Sequence, residues 1–165
     1  MFRRTAVMGA VALAVLLGST AVAVANGAGT QTLTLHDHNV VFLDNPSGKN
    51  PCNPSDTGTF LAVAANEVFH ITTQADGTFW VTGTAEGPAT FTADDPNNVS
   101  ASGHFAVWFG ESLNGPNSDV QHDTGTFALQ GTDGSHIVVH MRDHVTVNAN
   151  GVVTASFSVK SITCG

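Results

Sequence analysis

The chain has 165 residues, of which 42% are hydrophobic, and it carries 13 acidic side chains against 5 basic ones. This length fits a single domain with one core. The formal net charge of −8 argues against nucleic acid and anionic lipid as partners, because both bind mainly through positive side chains.

The N-terminus has the three parts of an export signal. Arg3 and Arg4 give a basic start, residues 7–17 form an apolar run too short to span a bilayer, and residues 23–25 read Ala-Val-Ala, an A-x-A cleavage site. We predict that residues 1–25 are a cleaved signal peptide and that the mature protein is secreted. No membrane span is expected after the signal is removed.

The mature chain has the pattern of an all-β domain, because it is rich in Thr, Val and Phe, alternates with period two and shows no helical stripe. Strands are predicted at residues 31–36, 38–43, 58–74, 78–93, 103–110, 122–131, 135–148 and 152–163. Residues 26–56 are interpreted as N-terminal strands and a loop, and residues 57–165 as a β-meander core within the same domain. Gly83 and Gly87 are predicted to kink or bulge their strand.

The two cysteines, Cys52 and Cys164, stand near opposite ends of the mature domain. An exported protein with an even and small number of cysteines most simply forms one disulfide. A catalytic pair would need C-x-x-C spacing, which is absent from the sequence, and two cysteines alone do not make a zinc site. We therefore predict a Cys52–Cys164 disulfide.

Three predicted hairpins place glycine third in a turn, at Gly77, Gly134 and Gly151. This fits a three-residue loop that ends on a left-handed glycine, although a two-residue Asp-Gly or Asn-Gly turn is equally common. The hydrophobic pattern favours the longer loop, because it pairs apolar with apolar residues. The expected pairs are Ile71 with Val81, Leu129 with Ile137, Phe127 with Val139, Val145 with Ala155, and Met141 with Val159.

This register predicts one apolar face, which we interpret as the core. Its members are Phe69, Ile71, Phe79, Val81, Phe105, Val107, Phe109, Phe127, Leu129, Ile137, Val139, Met141, Val153, Phe157 and Val159. Successive antiparallel hairpins with one continuous apolar face favour an up-and-down β-barrel, and a two-sheet β-sandwich is the alternative.

The opposite face is unusual because it carries Trp and His in place of the common Lys and Glu. We predict binding residues there at His70, Trp80, His104, Trp108, His122, His140 and His144. Exposed Trp beside polar groups stacks on sugars, aromatic rings or partner proteins. The alternative is that Thr and His simply tolerate half-exposed strands while acidic loops supply solubility.

The same register sets His122 across from His144, where two imidazoles could share a soft divalent metal. Two histidines are a minimal ligand set, however, and the positive charge of Arg142 on that face would repel the ion. The sequence His36-Asp37-His38 has the H-x-H spacing of a cupin-like metal strand but lacks the glutamate such sites use. We therefore predict no metal and no cofactor.

Several of these elements resemble a group of uncharacterised secreted β-rich proteins of actinobacteria, which has no assigned activity. The matching segments are Asn50-Pro51-Cys52, Val68-Phe69-His70, Gly103-His104-Phe105, Trp108-Phe109-Gly110, Asp133-Gly134-Ser135, His140 with His144, and Cys164-Gly165. The resemblance runs from Asn50 to the C-terminus. It implies export, the strand order and the cysteine pairing, and nothing about catalysis.

The sequence lacks the common catalytic motifs, including G-x-S-x-G, H-E-x-x-H, the phosphate-binding loop and the dinucleotide-binding glycine fingerprint. We therefore expect a secreted protein that binds a small molecule or a cell-surface component. One alternative is a small cyclase-like or isomerase-like barrel enzyme with a histidine as general acid or base. Another is a structural, envelope-associated protein without a ligand.

Overall fold

The computed structural model describes residues 29–113 and 118–165, so the predicted signal peptide lies outside the described residues. Within them the chain forms nine β-strands, and it contains no helix long and apolar enough to cross a membrane. The strands are β1 (Gln31–Asp37), β2 (Val40–Lys49), β3 (Thr57–Ala64), β4 (Asn66–Thr73), β5 (Phe79–Ala93), β6 (Ala101–Leu113), β7 (Ser118–Gly131), β8 (His136–Asn148) and β9 (Val153–Cys164).

All nine strands belong to one antiparallel sheet, in which neighbours follow the order β1, β4, β5, β6, β7, β8, β9. The long strand β5 has two partners on one edge, since β4 pairs with its first half and β3 with its second half. Strand β2 extends the sheet beyond β3. Within the described residues no pairing joins β9 to β1 or β2, so the all-β prediction is confirmed and a closed barrel is not.

The strand predicted at residues 58–74 is divided at Ala65, where the chain passes from β3 to β4. Gly87 of β5 allows this crossing, because a Cβ atom there would collide with the Val63 carbonyl oxygen and the Ala65 amide nitrogen. The Ala65 amide donates a hydrogen bond of 2.9 Å to the Glu86 carbonyl. The pairing of β5 with β6 continues without a shift past Gly87 and Gly83, so neither glycine is the predicted bulge.

The core lies where β2 and β3 curl back across the inner face of β5–β8, and we call this the closed end. Phe42 of β2 stacks on Phe105 of β6 with ring centroids 5.0 Å apart, although these strands are three positions apart in the sheet. Phe60 of β3 contacts Phe127 of β7 at 5.5 Å. Burying each such side chain contributes about 1.5–3 kcal/mol. The larger buried core residues are Phe91, Phe105, Phe127, Leu129, Ile137 and Val139.

A disulfide joins Cys52 and Cys164, as predicted, with their Cα atoms 5.8 Å apart. It links the loop after β2 to the last residue of β9. The two outermost strands of the closed end are therefore tied to each other by a covalent bond and not by strand pairing.

The three turn glycines have positive φ values, 84° at Gly77, 87° at Gly134 and 73° at Gly151, as the predicted left-handed position requires. The first two hairpins have the predicted register: Ile71 faces Val81, Leu129 faces Ile137, and Phe127 faces Val139.

The prediction for β9 is wrong over most of its length. Val147 faces Val153 as the turn demands, but a bulge at the next pair shifts the register by one residue. Met141 therefore faces Lys160, and Val145 faces Ser156. Because a shift of one residue exchanges the two faces of a strand, Phe157 and Val159 leave the predicted core face. Val153, Phe157 and Val159 are all more than half exposed.

Candidate functional site

The predicted binding residues share the face of the sheet opposite the core, which we call the outer face. Strand pairing places three of them in one row across the sheet, perpendicular to the strands. The row runs through Thr34, His70, Thr82, Gly110, His122, His144 and Phe157. Trp108 lies in the next row, between Thr84 and Thr124.

The outer face is hollowed across β4–β7 into a groove of about 460 Å³, which we call the outer groove. The groove lies where several outward residues of adjacent strands, such as Thr84, Ala106 and Thr124, are small. The outward residues that line it are Asn66, Val68, Thr84, Glu86, Ala106, Trp108, Thr124 and Thr126. The groove therefore offers hydroxyl groups, one amide and one carboxylate beside a single large aromatic ring.

The indole of Trp108 forms one side of the outer groove and is 42% exposed. It leans over Gly110, since a Cβ atom on that glycine would stand 2.9 Å from Cη2 of the indole. Val68 and Thr84 line the groove on the neighbouring strands. The ring thus keeps an open surface toward solvent, and a residue without a side chain allows this position.

His122 and His144 face each other across β7 and β8, as the register predicted. Their Nδ1 atoms are 3.0 Å apart and their ring centroids 4.2 Å apart. This contact requires one nitrogen to donate and the other to accept, so the two rings share a single proton at this position. His144 also stacks on Phe157 at 5.2 Å, and its Nε2 lies 3.0 Å from Oγ1 of Thr146.

Two other predicted histidines pair with threonines on the neighbouring strand. Nδ1 of His70 lies 3.1 Å from Oγ1 of Thr34, and Nδ1 of His140 lies 2.9 Å from Oγ1 of Thr126. Since Thr126 lines the outer groove, His140 is attached to the groove through that hydroxyl.

Trp80 and His104 share the outer face but do not line the outer groove. Trp80 lies across from Ser112, toward one end of the sheet, and His104 lies across from Pro88, toward the other. These two residues are therefore not brought together with the rest of the predicted set.

No group of three or more His, Cys, Asp or Glu side chains converges as metal ligands within residues 29–113 and 118–165. His36 and His38 in particular do not act together. The ring of His38 donates from Nδ1 to the Ala65 carbonyl at 3.1 Å, while His36 lies across from Val68.

Sequence reasoning did not single out Glu67, a carboxyl group on the inner face of β4. The side chain is only 5% exposed, and its Oε2 atom has no hydrogen-bond partner. Burial raises the pKa of Glu67, and the negative charge of Asp37, directly across on β1, raises it further. The period-two alternation of β4 would have placed this residue with Phe69 on the core face, so the signal was present in the sequence.

Further carboxyl groups occupy the inner face of β6–β8 at the end away from the core. Burial raises the pKa of Asp123, and so does the charge of Asp143 across from it, while His122 acts in the opposite direction. Burial also raises the pKa of Glu111, with added contributions from Asp119 and Asp123. These groups face away from the outer groove and contribute no contact to it.

No known protein family, curated protein or solved structure matches this chain. The resemblance to secreted actinobacterial proteins therefore stays a prediction, and the geometry of the site is what indicates a function.

Proposed function

We propose that this is a secreted binding protein that holds a sugar ring of an uncharged glycan in the outer groove. The observation that carries the proposal is the exposed indole of Trp108 beside a row of threonine hydroxyl groups. A sugar presents C–H groups on one face and hydroxyl groups around its edge. An aromatic ring with polar neighbours matches both features.

The dimensions and charge of the outer groove support this class of ligand. Its volume of about 460 Å³ lies within the usual range for small-molecule sites, roughly 300–1,000 Å³. The hydroxyl groups of Thr84 and Thr124 can donate to or accept from a sugar hydroxyl, and Glu86 can accept from one. Because Glu86 and the net charge of the chain are negative, an uncharged glycan is favoured over a sulfated or uronic acid polymer.

The disulfide supports the proposed location, since such bonds persist in oxidising compartments outside the cytoplasm. This agrees with the export signal predicted at residues 1–25. The closed barrel is likewise part of the proposal. The Cys52–Cys164 bond holds the end of β9 beside the loop after β2, the two edges that such a barrel would have to join.

The test uses the mature, oxidised protein in depletion assays with the uncharged insoluble polymers chitin and cellulose. We expect at least one polymer to remove the protein from solution, and Trp108→Ala to lose this binding. Trp80→Ala is the matched control, because Trp80 is similarly exposed, at 38%, on the same face but outside the groove. Equal loss in both variants, or retention by Trp108→Ala, would contradict the proposal.

A second variant tests the position of the ring without removing it. Gly110→Ala places a methyl group where the Trp108 indole now lies, so the ring must move while its chemistry is kept. We expect weaker polymer binding and a shifted Trp fluorescence maximum in the free protein. If neither polymer binds the parent protein, the envelope-associated alternative without a ligand is favoured.

A further inference from the structure

The paired histidines of the outer face bring two imidazole nitrogens to 3.0 Å from each other at an open position of the sheet. We propose that His122 and His144 form a two-histidine site for a late transition metal ion, Cu(II) or Ni(II), with water in the remaining positions. The proposal goes beyond the sequence-based expectation of no metal, and it does not depend on glycan binding by the outer groove.

The distance between the two ring nitrogens carries the argument. Imidazole nitrogen binds such metals at about 2.0–2.1 Å, so two Nδ1 atoms 3.0 Å apart subtend about 95° at an ion between them. This is close to the right angle between neighbouring ligands in the square-planar and tetragonal geometries of Cu(II) and Ni(II).

The surroundings of His144 are compatible with the form of the ring that metal binding needs. A metal on Nδ1 leaves the remaining ring proton on Nε2, and that N–H group must find an acceptor. Oγ1 of Thr146 lies 3.0 Å from Nε2 and can accept it. Phe157 packs on the same ring at 5.2 Å and limits its rotation.

Two other cross-strand pairs on the outer face can be compared with His122 and His144. Thr34 with His70 and Thr126 with His140 are cross-strand pairs in which a hydroxyl group bonds to Nδ1 of the histidine. The pair at His122 and His144 follows the same pattern, except that a second imidazole replaces the threonine. Two imidazoles in exposed or half-buried positions leave room for water on the ion.

Only one cation faces the pair from the strands around it. Arg142 lies two residues from His144 on the same face of β8, and its charge opposes a bound cation. The outward residues next to the pair on β6 and β9, Gly110 and Phe157, are uncharged. We therefore expect useful but moderate affinity, which Arg142→Gln should increase a few-fold.

The test is calorimetric titration of the mature, tag-free, chelator-treated protein with CuCl₂, in the presence of glycine to suppress weak sites. We expect one Cu(II) per chain, with two nitrogen ligands visible by electron paramagnetic resonance. His122→Thr is the informative variant, because it creates the Thr–His pair already present elsewhere in this sheet. It should weaken binding about tenfold or more while leaving the circular dichroism spectrum unchanged.

Two further variants complete the test. His144→Thr should lose binding to the same extent, and His140→Ala should keep it, since His140 is an exposed histidine of the same strand. Undiminished Cu(II) binding in His122→Thr would overturn the proposal, wherever the ion was then held. A parent protein that binds no Cu(II) in the presence of glycine would overturn it as well.

Discussion

The closed end and the opposite end of the sheet share the four strands β5 to β8, yet only the closed end forms a core. At the closed end, Phe105 and Phe127 are almost fully buried because Phe42 and Phe60 lie across them. The opposite end, which we call the open end, consists of β1, β4 and the distal halves of β5–β8. There Phe109 is only half buried, and carboxyl groups share its face.

This difference shows that period-two alternation selects a face but does not bury it. The alternation continues from Phe105 through Val107 to Phe109 without interruption. Burial occurs where β2 and β3 supply a second set of apolar side chains across the sheet. The open end lacks this second set within the described residues, and so its inner face can carry Glu111 and Asp123.

The largest effect is expected from removing the disulfide, since it ties the two outer strands of the closed end. Cysteines 112 positions apart close a loop that the chain-entropy treatment values at about 4–5 kcal/mol. We expect Cys52→Ser/Cys164→Ser to lower the free energy of urea-induced unfolding by roughly that amount. Hydrogen exchange should accelerate more in β2 and β3 than in β4. Uniform acceleration along the sheet would show that the two ends do not differ in their dependence on the crosslink.

The next prediction compares the loss of stability when one phenylalanine from each end is replaced by alanine. Phe105→Ala should cost about 3–5 kcal/mol, because it empties the centre of the closed end. Phe109→Ala should cost less than half as much, since Phe109 is half buried and contacts mainly Phe69 and the bare backbone of Gly83. Both variants are measured by urea denaturation of the oxidised protein. Equal losses would mean that the open end is packed as tightly as the closed end.

The smallest effect concerns the buried carboxyl of Glu67. Its pKa is raised in the folded state, so between the ordinary carboxyl value and the raised one the folded chain keeps a proton that the unfolded chain loses. This contribution to stability is complete at low pH and is lost as the pH rises through that window. Glu67→Gln should therefore stabilise the protein at pH 7 and flatten the pH dependence.

Glu86→Gln provides the control for that measurement, because Glu86 is exposed on the outer face of the neighbouring strand. Melting temperatures of the two variants are compared with the parent between pH 4 and pH 8. A gain in Glu86→Gln as large as that in Glu67→Gln would attribute the effect to net charge and not to burial.

The sequence was sufficient to predict the strand order of the meander and the cross-strand pairs near Gly77 and Gly134, because turn type and hydrophobic alternation agree there. It also predicted that His122 faces His144. It could not supply the distance between their nitrogens, which depends on how two rotamers meet. Nor could it show the outer groove, whose floor consists of threonines and Ala106 from three different strands.

The error in β9 has a physical cause that the local pattern does not contain. The turn at Gly151 and the apolar residues after it favoured a regular hairpin, in which Phe157 and Val159 would face the core. The observed register instead places Cys164 across from Ile137, on the inner face. This position brings Cys164 beside Cys52, a residue 112 positions earlier in the chain.

Two constraints therefore act on the register of β9 with β8, and they differ by one residue. The turn sets Val153 across from Val147, whereas the crosslink needs Cys164 on the inner face beside Ile137. A regular hairpin satisfies only the first, because it would leave Cys164 across from His136 and pointing away from Cys52. The extra residue at Thr154 resolves this conflict, and the contact of Phe157 with His144 is a by-product of the bulge.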